Sequence, residues 1–319
     1  MPSRPMELAL SYLRLFRWPN LLVIGITQYL MRHAVILPAF ASHGAMSGIS
    51  HVDFAMLVLA TTGLSAAGYA INDYFDVAID RVNKPERLIL GKTLDRRAAI
   101  GSHKLLNLAS VGIGIYLSCR YQYWPLALIF FLSPALLWYY SIRLKRHFLT
   151  GNLMVSMLTA LSVLMVWMVE HHVLQHGKRM PPTLSGGLTE LALFYGLFAF
   201  LLSLVREVLK DMEDAIGDRC AGCRTLPIVL GARRTKIVVV TLLLLAVAGI
   251  AWSQFTLFSP GQLHVVVYLL LLVQLPVLAL LPALLNEHRA EGFGRLQKML
   301  KLIMLTGVLS MGLLVNYFS

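Results

Sequence analysis

Asn72-Asp73-Tyr74-Phe75-Asp76-Val77-Ala78-Ile79-Asp80 closes a stretch, Phe54 to Ile71, that contains no charged residue. An uncharged run of that length is a membrane-helix candidate. Carboxylates at its end therefore stand where ionisable groups are costly and tied to function. Steps of three and four residues keep positions 73, 76 and 80 on one stripe of a 3.6-residue helix. Like charges on one stripe repel unless cations lie between them.

The rest of the chain supports a membrane reading. Of its 319 residues, 57% are hydrophobic and 14% charged, with a mean hydropathy of +0.69, whereas soluble domains carry about 25% charge. The net charge of +12 would raise nucleic-acid binding in a soluble chain. Here Lys and Arg gather between apolar runs, as membrane topology requires, and no basic patch interleaved with aromatics stands apart, so a nucleic-acid partner is not expected. Windows of about 20 apolar residues give nine spans, at 18–38, 54–76, 100–118, 124–141, 152–170, 188–209, 236–255, 262–285 and 299–317. The first is too long for the apolar region of a signal peptide. The expected fold is all-α: one polytopic bundle of nine transmembrane helices, a single domain over residues 1–319.

Charge sets the orientation. The N-terminus and the connections after spans two, four, six and eight hold 24 of the 28 Lys and Arg, leaving Arg32, Arg120, Lys178 and Arg179 for the other side. The positive-inside rule places the N-terminus in the cytoplasm and the C-terminus opposite. Of the acidic residues only Asp53, Glu170 and Glu190 fall on the outer side, so carboxylate chemistry belongs to the cytoplasmic face.

Span six ends in a second cluster. In Arg206-Glu207-Val208-Leu209-Lys210-Asp211-Met212-Glu213-Asp214-Ala215-Ile216-Gly217-Asp218, the aspartates 211, 214 and 218 repeat the three-then-four spacing of 73, 76 and 80. A lone DxxDxxxD is weak, but its duplication on one membrane face is specific. Basic residues flank both: Arg81, Lys84 and Arg87 follow the first, and Lys210, Arg219 and Arg224 surround the second. Mg²⁺ is bound by one or two carboxylates together with substrate phosphate oxygens, while Lys and Arg hold the oxygens that remain. A diphosphate held this way is a good leaving group, and on an allylic carbon its departure leaves a delocalised cation.

These residues resemble the UbiA superfamily of intramembrane prenyltransferases, whose signatures are NDxxDxxxD after the second helix and DxxxD after the sixth. The resemblance spans nearly the whole chain. It implies that Asn72, Asp76, Asp80, Asp214 and Asp218 hold Mg²⁺ and through it a prenyl diphosphate, with Asp73 and Asp211 in support. Arg17 and Asn20 look like the polar pair at the start of the family's first helix. Tyr139, Tyr140 and Lys145 are similar to its tyrosine-then-lysine element after the fourth.

The resemblance implies an acceptor that is a lipid or an aromatic ring. Asn83-Lys84-Pro85-Glu86-Arg87 together with Arg206 to Asp214 looks most like the branch that makes digeranylgeranylglyceryl phosphate, in which a glycerol hydroxyl attacks the allylic cation and an ether results. Prenylation of a hydroxybenzoate, homogentisate or naphthoate is the alternative. A cation-coupled transporter is the rival class, but transporter sites lie near the midplane on broken helices, whereas these clusters occupy helix ends. Membrane lipid is expected to surround the protein, and no protein partner is evident. Cys220-Ala221-Gly222-Cys223 lacks the second pair that a four-ligand zinc site needs and reads as a loop, as do the outer histidines 171, 172 and 176.

Overall fold

The computed structural model describes residues 4–83, 85–176, 182–257, 262–315 and 317. Among them every regular element is a helix, with one isolated bridge between Leu90 and Leu94. In order come α1 (Arg4–Leu15), α2 (Trp18–Leu30), α3 (Leu37–Ser42), α4 (His51–Asn83), α5 (Arg96–Tyr121) and α6 (Trp124–Ile142). After these follow α7 (Thr150–His176), α8 (Pro182–Cys220), α9 (Leu226–Leu257), α10 (Leu263–Leu269), α11 (Leu275–Asn286) and α12 (Ala290–Leu309). A π-helical segment, Met31–Ile36, joins α2 to α3, and another, Leu270–Gln274, joins α10 to α11. Each pair therefore forms one continuous span.

Eight helical stretches among the described residues are long and apolar enough to cross a membrane. The ninth expected span is α5, which has the length, at 26 residues, without the hydropathy. Its polar residues are used inside the protein. His103 Nδ1 lies 2.9 Å from the carbonyl of Ala67 on α4, and buried Ser110 fills the space beside Gly63. A polar face turned to a neighbouring helix lowers mean hydropathy while leaving an apolar side for lipid, where Leu105 and Leu108 are exposed. The chain is an integral multi-pass membrane protein.

The chain divides into two compact units. Unit 1 comprises the residues up to Ile26 and Ile49–Lys145; unit 2 comprises Thr27–Gly48 and everything from Arg146 onward. In unit 1, α4 packs on α5 and α6. The small residues Ala66, Ala67 and Gly68 are buried there, and Leu137 of α6 would press on any Cβ at Gly68. Small side chains at such a contact let backbones approach and gain dispersion energy, the chief attraction between helices in lipid. Leu15, with Tyr12 and Phe16, packs against Ala70, Tyr74 and Val77 of α4 and against Leu88, Ile89, Leu90 and Leu94. The short α1 thus braces the segment of α4 that carries the first carboxylates.

In unit 2, α8 packs on α7, α9 and α12. Two polar features lie within its membrane helices. Arg32 (1% exposed) and Glu170 (0%) form an ion pair at 3.3 Å, and Ser47 Oγ donates to Glu170 Oε1 at 2.7 Å. Beside the second π segment, Gln254 Nε2 donates to Gln274 Oε1 at 3.0 Å, while Gln274 Nε2 donates to the Val247 carbonyl at 3.3 Å.

Candidate active site

The first motif occupies the C-terminal part of α4, which stays helical to Asn83, so the spacing inferred for 73, 76 and 80 is realised. Asn72 is buried, and its Nδ2 donates to Asp76 Oδ2 at 2.7 Å. Lys145, on the single 3₁₀ turn after α6, reaches the same pair: its ammonium lies 2.5 Å from Asp76 Oδ1 and 3.3 Å from Asn72 Oδ1. One turn away, Arg17 donates to Asp73 Oδ1 at 2.8 Å and stands 4.8 Å from the ring centroid of Tyr69. Asn20 Nδ2 donates to the Tyr69 hydroxyl at 3.2 Å.

Arg17 reaches α4 because the chain breaks helix there. Its φ of +52° is a left-handed conformation that L-residues adopt at a cost, and such strain clusters at functional sites. The corner separates α1 from α2 and directs the guanidinium to Asp73. Asp80 is half-buried on the same stripe, and Arg81 beside it is exposed. Tyr139 and Tyr140 lie on the last turn of α6, with the Tyr139 side chain exposed. Lys84 lies outside the described residues, as does the side chain of Arg87.

The second motif belongs to unit 2 and also sits within one helix, as α8 extends to Cys220. Asp211, Asp214 and Asp218 are half-buried, as is Lys210. Asn152, in the first turn of α7, donates its Nδ2 to Asp211 Oδ2 at 2.8 Å. Near this cluster half-buried Arg206 and buried Glu207 form an ion pair at 2.5 Å. Glu213 lies against Gly294 of α12, where a Cβ would come 2.6 Å from its Oε1. After Asp218 the helix closes through a hydrogen bond from the Cys223 N–H to its carbonyl, and the next N–H, of Arg224, donates to the Arg146 carbonyl at 2.7 Å.

Each motif offers hard oxygen donors with cationic groups beside them, the chemistry Mg²⁺ selects. Among the described residues no three His, Cys, Asp or Glu side chains converge on one metal position. Tyr69 and Asn152 escaped the sequence reading. A tyrosine inside an apolar run reads as packing, and an asparagine at a helix start reads as a cap.

A polytopic helical membrane protein with a duplicated aspartate motif and lysine and arginine on its carboxylates is an intramembrane transferase. The chain belongs to the UbiA prenyltransferase family, whose family model matches residues 33–315. It is 34% identical over 252 residues to the digeranylgeranylglyceryl phosphate synthase of Methanothermobacter thermautotrophicus, covering 78% of this chain and 81% of that one. Among solved structures it resembles one described as giving insight into digeranylgeranylglyceryl phosphate synthase in membranes, with a TM-score of 0.63 and 21% identity over 98% of this chain and 99% of the other. It also resembles a UbiA homologue from Archaeoglobus fulgidus bound to DMAPP and Mg²⁺, with a TM-score of 0.52 and 14% identity over 94% and 99% of the two chains. At these identities the structures speak for the fold.

Proposed function

We propose that the protein transfers an isoprenoid chain from a prenyl diphosphate, geranylgeranyl diphosphate by preference, to the glycerol hydroxyl of geranylgeranylglyceryl phosphate, forming an ether. The observation that carries this reading is the pair of DxxDxxxD helix ends, the first bearing Lys145 on Asp76 and Arg17 on Asp73. The relatives named for digeranylgeranylglyceryl phosphate synthesis support the acceptor, and the homologue that binds DMAPP with Mg²⁺ supports the donor class and the metal.

Asn72, Asp76, Asp80, Asp214 and Asp218 hold Mg²⁺, with Asp73 and Asp211 in support. When bound, Mg²⁺ neutralises diphosphate oxygens and so lowers the barrier to their departure. Lys145, Arg17, Arg81 and Lys210 present cations to the oxygens that gain charge as the allylic C–O bond breaks. Lys84, Arg87, Tyr139 and Tyr140 belong to the same substrate-binding set. The electron pair of that bond leaves with the diphosphate, and the glycerol oxygen then bonds the allylic carbon as it loses its proton. Both motifs serve one reaction within one membrane-embedded domain. The site and the N-terminus face the cytoplasm, with the C-terminus opposite, as the distribution of Lys and Arg supports.

Membranes containing the protein are incubated with radiolabelled geranylgeranyl diphosphate and a panel of glycerol-phosphate lipid and aromatic acceptors. Label is expected in an ether lipid, only with Mg²⁺ or Mn²⁺ present. Label on an aromatic acceptor alone, or a rate indifferent to chelator, would reject the assignment.

A further inference from the structure

Asp211 receives a hydrogen bond from a second helix, and the donor is itself fixed. Asn152 is 8% exposed, and its Nδ2 stands 2.8 Å from Asp211 Oδ2. One turn along α7, fully buried Ser156 donates its hydroxyl to the Asn152 carbonyl at 2.7 Å. The turn that starts α7 is set by Leu149, whose φ of +57° lies in the left-handed region that non-glycine residues enter only where their surroundings impose it. Backbone and side chain of Asn152 are therefore both constrained, and the constrained amide is aimed at a carboxylate of the second motif.

A contact that merely joined α7 to α8 would not need a carboxylate. Two amides, or an amide and a hydroxyl, form the same hydrogen bond between membrane helices without bringing a charge into a poorly hydrated place. An aspartate at this point makes sense where its charge is used. The amide N–H orients the carboxylate oxygen that it reaches.

We propose that Asn152 is a positioning residue for the second motif: by holding the Asp211 carboxylate it sets the cation affinity of the Asp211–Asp214–Asp218 cluster. This rests on the Mg²⁺ and diphosphate reading above. Partners of this kind, one step removed from the metal, change metal affinity by about 10- to 100-fold when lost.

The test is Mn²⁺ binding, read by electron paramagnetic resonance on detergent-solubilised protein with inorganic pyrophosphate, alongside thermal unfolding. Asn152→Ala is expected to weaken Mn²⁺ binding by about 10- to 100-fold while unfolding cooperatively. In Asp211→Ala protein the same substitution is expected to cost less than about twofold more, because residues acting through one another are not additive. Ser162→Ala, which removes a hydroxyl further along the same helix, should bind Mn²⁺ as the wild type does. Should the alanine variant fail to fold, Asn152→Ser, with its shorter donor, takes its place. Wild-type affinity in a folded Asn152 variant, or a full additive loss in the double variant, would overturn the proposal and leave the broader reading standing. A wild-type protein that binds no Mn²⁺ with pyrophosphate, or an Asp214→Ala protein that binds it normally, would instead overturn the broader reading, and this proposal with it.

Discussion

An ammonium 2.5 Å from a half-buried carboxylate makes a charge-assisted hydrogen bond, and Lys145 makes one to Asp76 while also touching Asn72. Asn72 and Asp76 are thus presented as a unit, one supplying an amide oxygen and the other a carboxylate. Lys145→Met is expected to reduce kcat about 10²- to 10³-fold, the scale of removing one donor to a developing anion, with the melting temperature little changed. Steady-state assays beside thermal unfolding check this, and undiminished turnover would leave the lysine as an ion-pair partner only. The aspartates were legible in the sequence because charge is rare at the end of an apolar run, and Lys145 through its resemblance to a family element. Asn152 was not, since its partner Asp211 lies 59 residues further on and nothing local marks that pairing. Tyr69 was hidden likewise, its partners Arg17 and Asn20 coming from the start of the first span.

At the scale of the helix, small residues decide how closely unit 1 packs. A Cβ on Gly114 of α5 would fall 2.5 Å from Cβ and Cγ of Phe130, a fully buried side chain of α6. Those atoms lie near the backbone and have little freedom to yield. Gly114→Ala should therefore destabilise the protein by about 1–3 kcal/mol, whereas Gly112→Ala, with nothing within 4 Å of the new methyl, should be neutral or gain from helix propensity. Thermal unfolding of the two variants in one detergent compares them, and equal melting temperatures would contradict the close α5–α6 contact. Hydropathy located the spans, but other elements left weaker traces. α1 is too short to cross a membrane, and its exposed Met6, Leu10 and Leu13 blur the pattern that would mark it as a brace for α4. The π segments at Met31–Ile36 and Leu270–Gln274 keep the composition of ordinary membrane helix, and an extra residue per turn has no compositional signature.

For the whole molecule, orientation is the property that sequence charge addresses most directly, and the cysteines offer a measurement. Cys119, at the end of α5, and Cys220, at the end of α8, are exposed, while Cys223 is buried. A membrane-impermeant maleimide applied to intact cells should label Cys119, with Cys220 labelled only after permeabilisation. The reverse pattern would invert the proposed topology. Four of the charges that the proposed topology assigns to the outer side pair with one another. Arg120 Nε donates to Asp53 Oδ2 at 2.8 Å, and Arg32 pairs with Glu170. The second pair also bears on how the protein is made. Arg32 leaves the ribosome with the first span, whereas Glu170 follows Ser47, its hydroxyl donor, by 123 residues. At about 5–20 residues per second, the guanidinium spends roughly ten seconds without its counter-ion, so the first span enters the bilayer as a provisional passenger that only the fifth secures. Assembly in the membrane is thereby given an order: the chain cannot settle its first crossing until more than half of it has been synthesised.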